Sequence, residues 1–283
     1  MKKSHKIVMA IIMVVFLVGW AISQRVESPP DSGRGMEADA AVPLVPKRKL
    51  RIGTFNIHRC EGDDERCDVA RVAKLLEGMD VVGLNEVAGN SLWGATCQTE
   101  ELGGRLEMAW LFSPVSTRLL DGDFGNGILT KLPVRSWQKI PLPYNGSRRS
   151  VRAALLVVLE TGDRPINLLL AHLDHRDKEL PGREGHKQLD TVISLFLALA
   201  EPAILMGDFN AFPNDPLIKE LQNTQGVTEV IAEIGADAAP RRVDWIFIRG
   251  MRATNAAAVE NDASDHPIVW ADVEIQPESE KPN

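Results

Sequence analysis

The chain has 283 residues, 44% of them hydrophobic, enough to bury the core of one large α/β domain. Its 39 acidic and 32 basic residues leave a formal charge of -7, so no global basic surface marks a general nucleic-acid binder, although a locally basic cleft is compatible with an acidic chain. Three cysteines without a CxxC spacing argue against a cysteine-built zinc site.

The N-terminal MKKSHK is followed by IVMAIIMVVFLVGWAIS, seventeen residues without a charge. Residues 1–23 therefore read as either a signal peptide or a membrane anchor, and the flanking lysines place the rest of the chain outside the cytoplasm. Residues 24–49 hold four prolines and no apolar periodicity, and are expected to form a flexible linker. The folded domain is expected over 50–275, with 276–283 as a disordered tail.

Within that window KLRIGTFNI reads as a buried strand. Cys60 and Cys67 bracket the acidic EGDDER, a spacing that could close a small disulfide loop or leave ordinary thiols. CDVARVAKLLEGM has helical spacing, with Asp68 placed to cap it, and DVVGLNEV is the next strand. After a less regular stretch, strands follow at GNGILTK, VRAALLVVLE and PINLLLAHL, the last two joined by the turn TGDR as a hairpin. A helix is expected over 184–200, then the strand PAILMGD, a short helix over 216–221, and the strands RVDWIFIRG and HPIVWADVEI. Strands alternating with helices imply a helix-covered sheet, and the hairpins make it mixed.

Polar residues gather at the ends of these strands. Asn56 and His58 end the first, and Glu86 ends VVGLNE. His172, Asp174 and His175 end LLLAHLDH, while Asp208 and Asn210 end ILMGDFN. Asp244 lies in RVDWIF, and Asp265 with His266 begins the final strand. Loops at one end of an open α/β sheet surround a crevice, so these residues can converge there. The set is rich in hard oxygen ligands and holds no thiolate, which suits Mg2+ or Mn2+ and, through them, a phosphate ester. An imidazole oriented by a carboxylate, with Asp244 and His266 the natural pair, can activate a water. His172 is placed to donate to a phosphoryl oxygen. SRRSVR, ending at Arg152, is a local basic cluster suited to face phosphate.

Seven ordered blocks, GTFNIH, VVGLNEV, GNGILT, AHLDH, GDFNAFP, RVDWIFI and SDHPIV, resemble the endonuclease/exonuclease/phosphatase superfamily of metal-dependent phosphohydrolases. The resemblance implies a four-layer α/β sandwich: two packed mixed β-sheets flanked by helices. It implies Asn56, Glu86 and Asp265 as metal residues, and Asn210, Arg152 and Asn126 as substrate-binding residues. His172, Asp208, Asp244 and His266 are implied as catalytic, with the Asp244/His266 pair as base assisted by Asp208. His58 stands where several members carry a carboxylate. The expected function is hydrolysis of a phosphodiester, as in a nuclease, or of a phosphomonoester, by in-line attack of an activated water. The expected substrate partner is a nucleic acid or a lipid head group, acted on by a monomer, with membrane contact through the N-terminal segment if it is uncleaved. Two alternatives stand beside this: a phospholipid, sphingomyelin or inositol-phosphate head-group hydrolase, and a non-catalytic binding domain on the same fold.

Overall fold

The computed structural model describes residues 2–29, 31–36, 46–91, 96–118, 120–144, 151–175, 184–235 and 242–277. The first four residues of the basic cluster, 147–150, most of the expected tail, 278–283, and the middle of the expected linker, 37–45, lie outside the described residues.

In chain order the elements begin with α1 (Lys2–Ser23), β1 (Arg25–Glu27), β2 (Arg34–Met36), β3 (Lys49–Asn56), α2 (Val69–Leu76) and β4 (Val81–Ala88). There follow α3 (Gln98–Leu106), β5 (Ala109–Arg118), β6 (Gly122–Thr130), β7 (Val134–Pro141), β8 (Ala153–Leu159) and β9 (Ile166–His172). The chain continues through α4 (Glu184–Ala198), β10 (Ala203–Asp208), α5 (Pro216–Gln222), β11 (Thr228–Glu229) and α6 (Val230–Glu233). It ends with β12 (Asp244–Arg249), β13 (Met251–Val259) and β14 (Ile268–Ile275).

The strands form two mixed sheets. One has the order β1-β5-β6-β4-β3-β14-β13, with β2 also on the β5 edge; the other runs β11-β12-β10-β9-β8-β7. Within each sheet one parallel pair, β3 with β4 and β9 with β10, sits among antiparallel neighbours. Apolar side chains from the facing sides, including Ile52, Val81, Ile128, Leu170, Met206 and Ile246, make the inter-sheet core. Outside the first sheet, α2 and α3 close a second core around Phe55, Leu76, Leu84 and Leu102. Outside the other sheet, α4 and α5 pack through Val192, Phe196, Ile218 and Leu221 on Leu169, Leu205 and Phe247. The result is the four-layer α/β sandwich. It explains why β10 reads as an unbroken apolar run: with a sheet on one side and helices on the other, every residue of AILMGD is buried.

Asp68 caps α2 as its position suggests, accepting from the Arg71 N–H at 3.0 Å. The β8–β9 hairpin forms antiparallel. Cys60, Cys67 and Cys97 are free thiols, and the acidic loop is closed by backbone pairing of Glu61 with Cys67 rather than by a disulfide. The stretch expected to be a tether supplies β1 and β2, which add to the exposed edge of β5 through main-chain bonds that need no apolar periodicity. Helix α1 leaves Phe16 and Trp20 more than half exposed. Among the described residues no helix is long and apolar enough to cross a membrane.

Candidate active site

Strand register assembles the site. Asn56 at the end of β3 pairs with Asn85 on β4. In the other sheet Asp208, ending β10, has His172 of β9 on one side and Asp244 of β12 on the other. Four parallel strand ends and the start of β12 thus meet at one edge of the sandwich, where side chains from both sheets reach each other.

Three backbone features aim these side chains. A register shift between Leu84 and Val87, with Glu86 at φ 55°, lets both Asn85 and Glu86 serve the cleft instead of alternating away from each other. Gly207 has φ 134°, and a Cβ there would lie 1.9 Å from the Ala171 carbonyl oxygen, so only glycine lets β10 lie against β9. Asn210, at φ 50°, turns the chain back so that its N–H meets Asp208 Oδ1 at 2.8 Å.

Asp208 is the hub. Asn56 Nδ2 donates to its Oδ2 at 3.0 Å, and the Asp208 N–H is accepted by Asn85 Oδ1 at 2.9 Å. Asn85 Nδ2 in turn donates to Asn126 Oδ1 at 3.0 Å, and Asn126 Nδ2 donates to the Ala153 carbonyl across the sheets at 3.0 Å. His172 Nε2 lies 3.6 Å from Asp208 Oδ2 and 3.8 Å from Glu86 Oε1. His266 Nδ1 is 2.7 Å from Asp244 Oδ2, while its Nε2 is 3.4 Å from Asn56 Nδ2 and 3.9 Å from Asp208 Oδ2. Ser264 Oγ fixes the loop carrying His266 by donating to the Asn56 carbonyl at 2.7 Å.

Burial sets the charges. The Asp208 carboxyl is pushed up to about 7, chiefly by burial and by repulsion from Asp244, against the pull of His266 and two hydrogen bonds. Burial likewise raises Asp244, although its bond to His266 opposes this. Burial disfavours the His266 cation, but the bond to Asp244 and the nearby charges of Asp244, Asp208 and Asp265 outweigh it and lift the imidazole to about 9. His172 moves the other way, held well below the ordinary imidazole value by burial and by the positive charges of Arg152, His266 and His175. One imidazole is therefore charged and the other neutral at pH 7.

Asn56, Glu86, His172, Asp208, Asn210, Asp244 and His266 are thus within one network, and Asn126 joins it through Asn85. Arg152 is buried, with Nη2 3.8 Å from Asp174 Oδ1. Asp265 lies at the rim, its side chain 63% exposed and Oδ1 3.8 Å from His58 Nδ1. Sequence reasoning passed over Asn85 and Ser264, and placed Asp174 at a strand end without giving it a role. A buried amide inside the apolar run VVGLNEV was the available signal for Asn85.

The donor set suits a hard cation. Asp208, Asp244 and His266 place one ligand atom each within 4.8 Å of one another, and a hydrogen bond joins His266 Nδ1 to Asp244 Oδ2. Oxygen capacity remains on Glu86 and Asp208, and Asp244 Oδ1 is buried without a hydrogen-bond partner. The Asp208 carboxyl, raised to about 7 by burial and then by the charge of Asp244, is a group that a cation beside it would return to its ionised form.

Comparison with known proteins points to one family. The sequence model of the Endonuclease/Exonuclease/phosphatase family matches residues 53–266. Among solved structures, an endonuclease/exonuclease/phosphatase from Beutenbergia cavernae is 22% identical, covering 81% of this chain and 72% of that one at a TM-score of 0.62. The human Nocturnin catalytic domain with bound sulfate is 19% identical, covering 82% and 97% of the two chains at 0.63. D. rerio TDP2 complexed with single strand DNA product is 20% identical, covering 80% and 99% at 0.58. At these identities the likeness is one of fold. A UPF0294 protein of Yersinia pseudotuberculosis is 33% identical over 96 residues, 32% of this chain. The match spans only 36% of that relative's length.

Proposed function

The chain belongs to the endonuclease/exonuclease/phosphatase family, and from that premise we propose that it is a divalent-metal-dependent phosphodiesterase acting by in-line attack of an activated water. The observation that carries this is the meeting of Glu86, His172, Asp208, Asp244 and His266 at one strand-end cleft, with Asp244 locked on His266 at 2.7 Å.

Glu86, with Asn56 and Asp208 beside it and Asp265 at the rim, would hold Mg2+ or Mn2+, which would supply Lewis-acid neutralisation of the phosphoryl oxygens. The remaining roles follow from the charges. With a carboxyl near 7 and its lone pairs aimed by Asn56 and Asn210, Asp208 accepts the proton of the attacking water. His266, held as the imidazolium by Asp244, presents positive charge to the phosphoryl group as its negative charge builds. Sequence reasoning gave the base to His266 assisted by Asp208; these electrostatics favour the reverse division. Neutral His172 donates from Nε2 to a phosphoryl oxygen, and Arg152, Asn126 and Asn210 orient the phosphate. The fold shared with the TDP2 that holds a single-stranded DNA product supports a diester over a monoester.

The same proposal places the domain outside the cytoplasm, exported or tethered, supported by the N-terminal lysines and the exposed apolar side chains of α1. The test is turnover by the full chain in detergent micelles, with Mg2+ or EDTA, on plasmid DNA, RNA, bis(p-nitrophenyl) phosphate, sphingomyelin and inositol phosphates. We expect metal-dependent diester cleavage that falls by about 10³-fold in Asp208→Ala. Equal rates for wild type and variant would remove the proposed site.

A further inference from the structure

The cleft face of the first sheet continues past Asn126. Phe124 lies two residues along β6, on the same face by strand alternation, roughly 7 Å away at ~3.3 Å per residue. Its ring carries two guanidiniums: Arg25 Cζ is 5.7 Å and Arg59 Cζ 5.2 Å from the centroid. Arg118 joins them, because it is the in-register partner of Arg25 on β1. Like charges directly opposite on neighbouring strands destabilise a sheet, so folding alone does not account for this pairing.

Acidic residues, Asp121 and Asp123, line the same recess. Arg118 Nη1 is 3.0 Å from Asp121 Oδ2, and Glu27 accepts from Tyr144 at 3.3 Å, with Lys139 close behind on the Ser28 carbonyl at 3.1 Å. Among the described residues the Arg59 guanidinium has no carboxylate within ion-pair distance. Arg59 is nonetheless held in place. It sits in a run of positive φ from His58 to Cys60 (41°, 58° and 60°), three residues past Asn56, and its carbonyl accepts from Gln98 Nε2. Such a run is unfavourable for residues carrying a Cβ, and strain of this kind collects at working sites.

We infer that Arg25, Arg59 and Arg118, gathered round Phe124, form a second phosphate-binding subsite, and that the preferred substrate is a single-stranded nucleic acid rather than a lone phosphate ester. The inference rests on the phosphodiesterase reading above. A guanidinium fork matches a phosphate, and the offset along β6 is of the order of one nucleotide step in an extended strand. Arginines around an aromatic ring in a groove are how single strands are commonly held. A sphingomyelin head group ends in a quaternary ammonium, which three guanidiniums repel.

The test uses the full chain, since β1 carries Arg25. Binding of a fluorescein-labelled oligothymidylate in EDTA is followed by anisotropy over a salt series, for wild type, Arg59→Gln, Arg25→Gln/Arg59→Gln and Arg59→Lys. In Mg2+, kcat/KM is compared between the oligonucleotide and bis(p-nitrophenyl) phosphate. Arg59→Gln should weaken oligonucleotide binding about tenfold and reduce the salt slope by about 1, with a further loss in the double variant. The oligonucleotide-to-reporter ratio of kcat/KM should also fall about tenfold. Arg59→Lys should restore the salt slope, which a purely structural role would not. Binding and ratio within twofold of wild type in the double variant would overturn the inference. So would inositol bisphosphate competing more strongly than the oligonucleotide. Failure of the wild type to cleave any diester would sink the phosphodiesterase reading separately, with the binding series still judging the subsite.

Discussion

Gly207→Ala puts the local geometry of β10 to a direct test. The residue sits at φ 134°, well outside the left-handed well that an alanine can enter, and a conformation of this kind costs roughly 1–3 kcal/mol for a residue with a Cβ. The new methyl would also meet the Ala171 carbonyl oxygen at 1.9 Å, so β10 must move off β9 where Gly207 and Ala171 are in register. Weakening one ladder bond adds about 1 kcal/mol, for a total of about 3 kcal/mol. In a domain of this size about 2–4 °C of Tm is lost per kcal/mol, so the variant should melt roughly 6–12 °C below wild type. Gly226→Ala is the control: φ is 78° and nothing lies within 4 Å of the added carbon. It should cost only the left-handed penalty, about 1–2 kcal/mol. Thermal melts of the full chain, read by circular dichroism, decide the matter. If Gly207→Ala melts no lower than Gly226→Ala, the approach of β10 to β9 does not restrict position 207 to glycine.

Asp244→Asn should bring the titration midpoint of His266 down from about 9, because the bond and charge that oppose burial are lost. Ring-proton NMR of the metal-free protein reads this directly, and a midpoint still near 9 would show that Asp244 is not the source. The Asp208 carboxyl is raised from 3.8 to about 7, so its contribution to stability is fully present below about 3.8 and is lost as pH rises through 7. In EDTA the Tm of wild type should therefore fall across this window relative to Asp208→Asn. Parallel curves for the two proteins would contradict the assignment.

Much of the site was legible because a polar residue ending an apolar run has few structural reasons to be there. Asp208 after AILMG and His172 after INLLLA stand out in this way, and both are buried at the cleft. Asn85 did not stand out, since strand alternation would turn it away from whatever face Glu86 uses. Only the register shift between Leu84 and Val87 puts both to work, and a bulge has no sequence signature here. The elements passed over share a different cause. β7 is an edge strand with half-exposed residues and a terminal proline, and β13 reads as alanines and polar residues. Helix α3 carries two consecutive glycines, Gly103 and Gly104, which dilute its periodicity. Gly103 is there because a Cβ would press on the Trp110 side chain and the Met108 carbonyl at 2.9 to 3.0 Å.

The balance of charge connects the cleft to its margin. A phosphate ester entering the cleft meets the carboxyl groups of Glu86, Asp208 and Asp244 within one network, where the imidazolium of His266 is locked on Asp244 and the Arg152 guanidinium faces Asp174. An anion would be repelled from such a place, so the proposed chemistry requires positive charge from elsewhere. In the proposed mechanism a divalent cation held at Glu86 would answer this at the reacting phosphorus. It would do nothing for the neighbouring phosphate of a longer substrate, which the proposed subsite puts beyond the carboxylates, where Arg25, Arg59 and Arg118 surround Phe124. A chain of net charge -7 can thus draw in a polyanion if its basic residues stand where the second phosphate falls. On this account lost metal and lost arginines fail differently. The first abolishes turnover of every phosphate ester, and the second discriminates against the long ones.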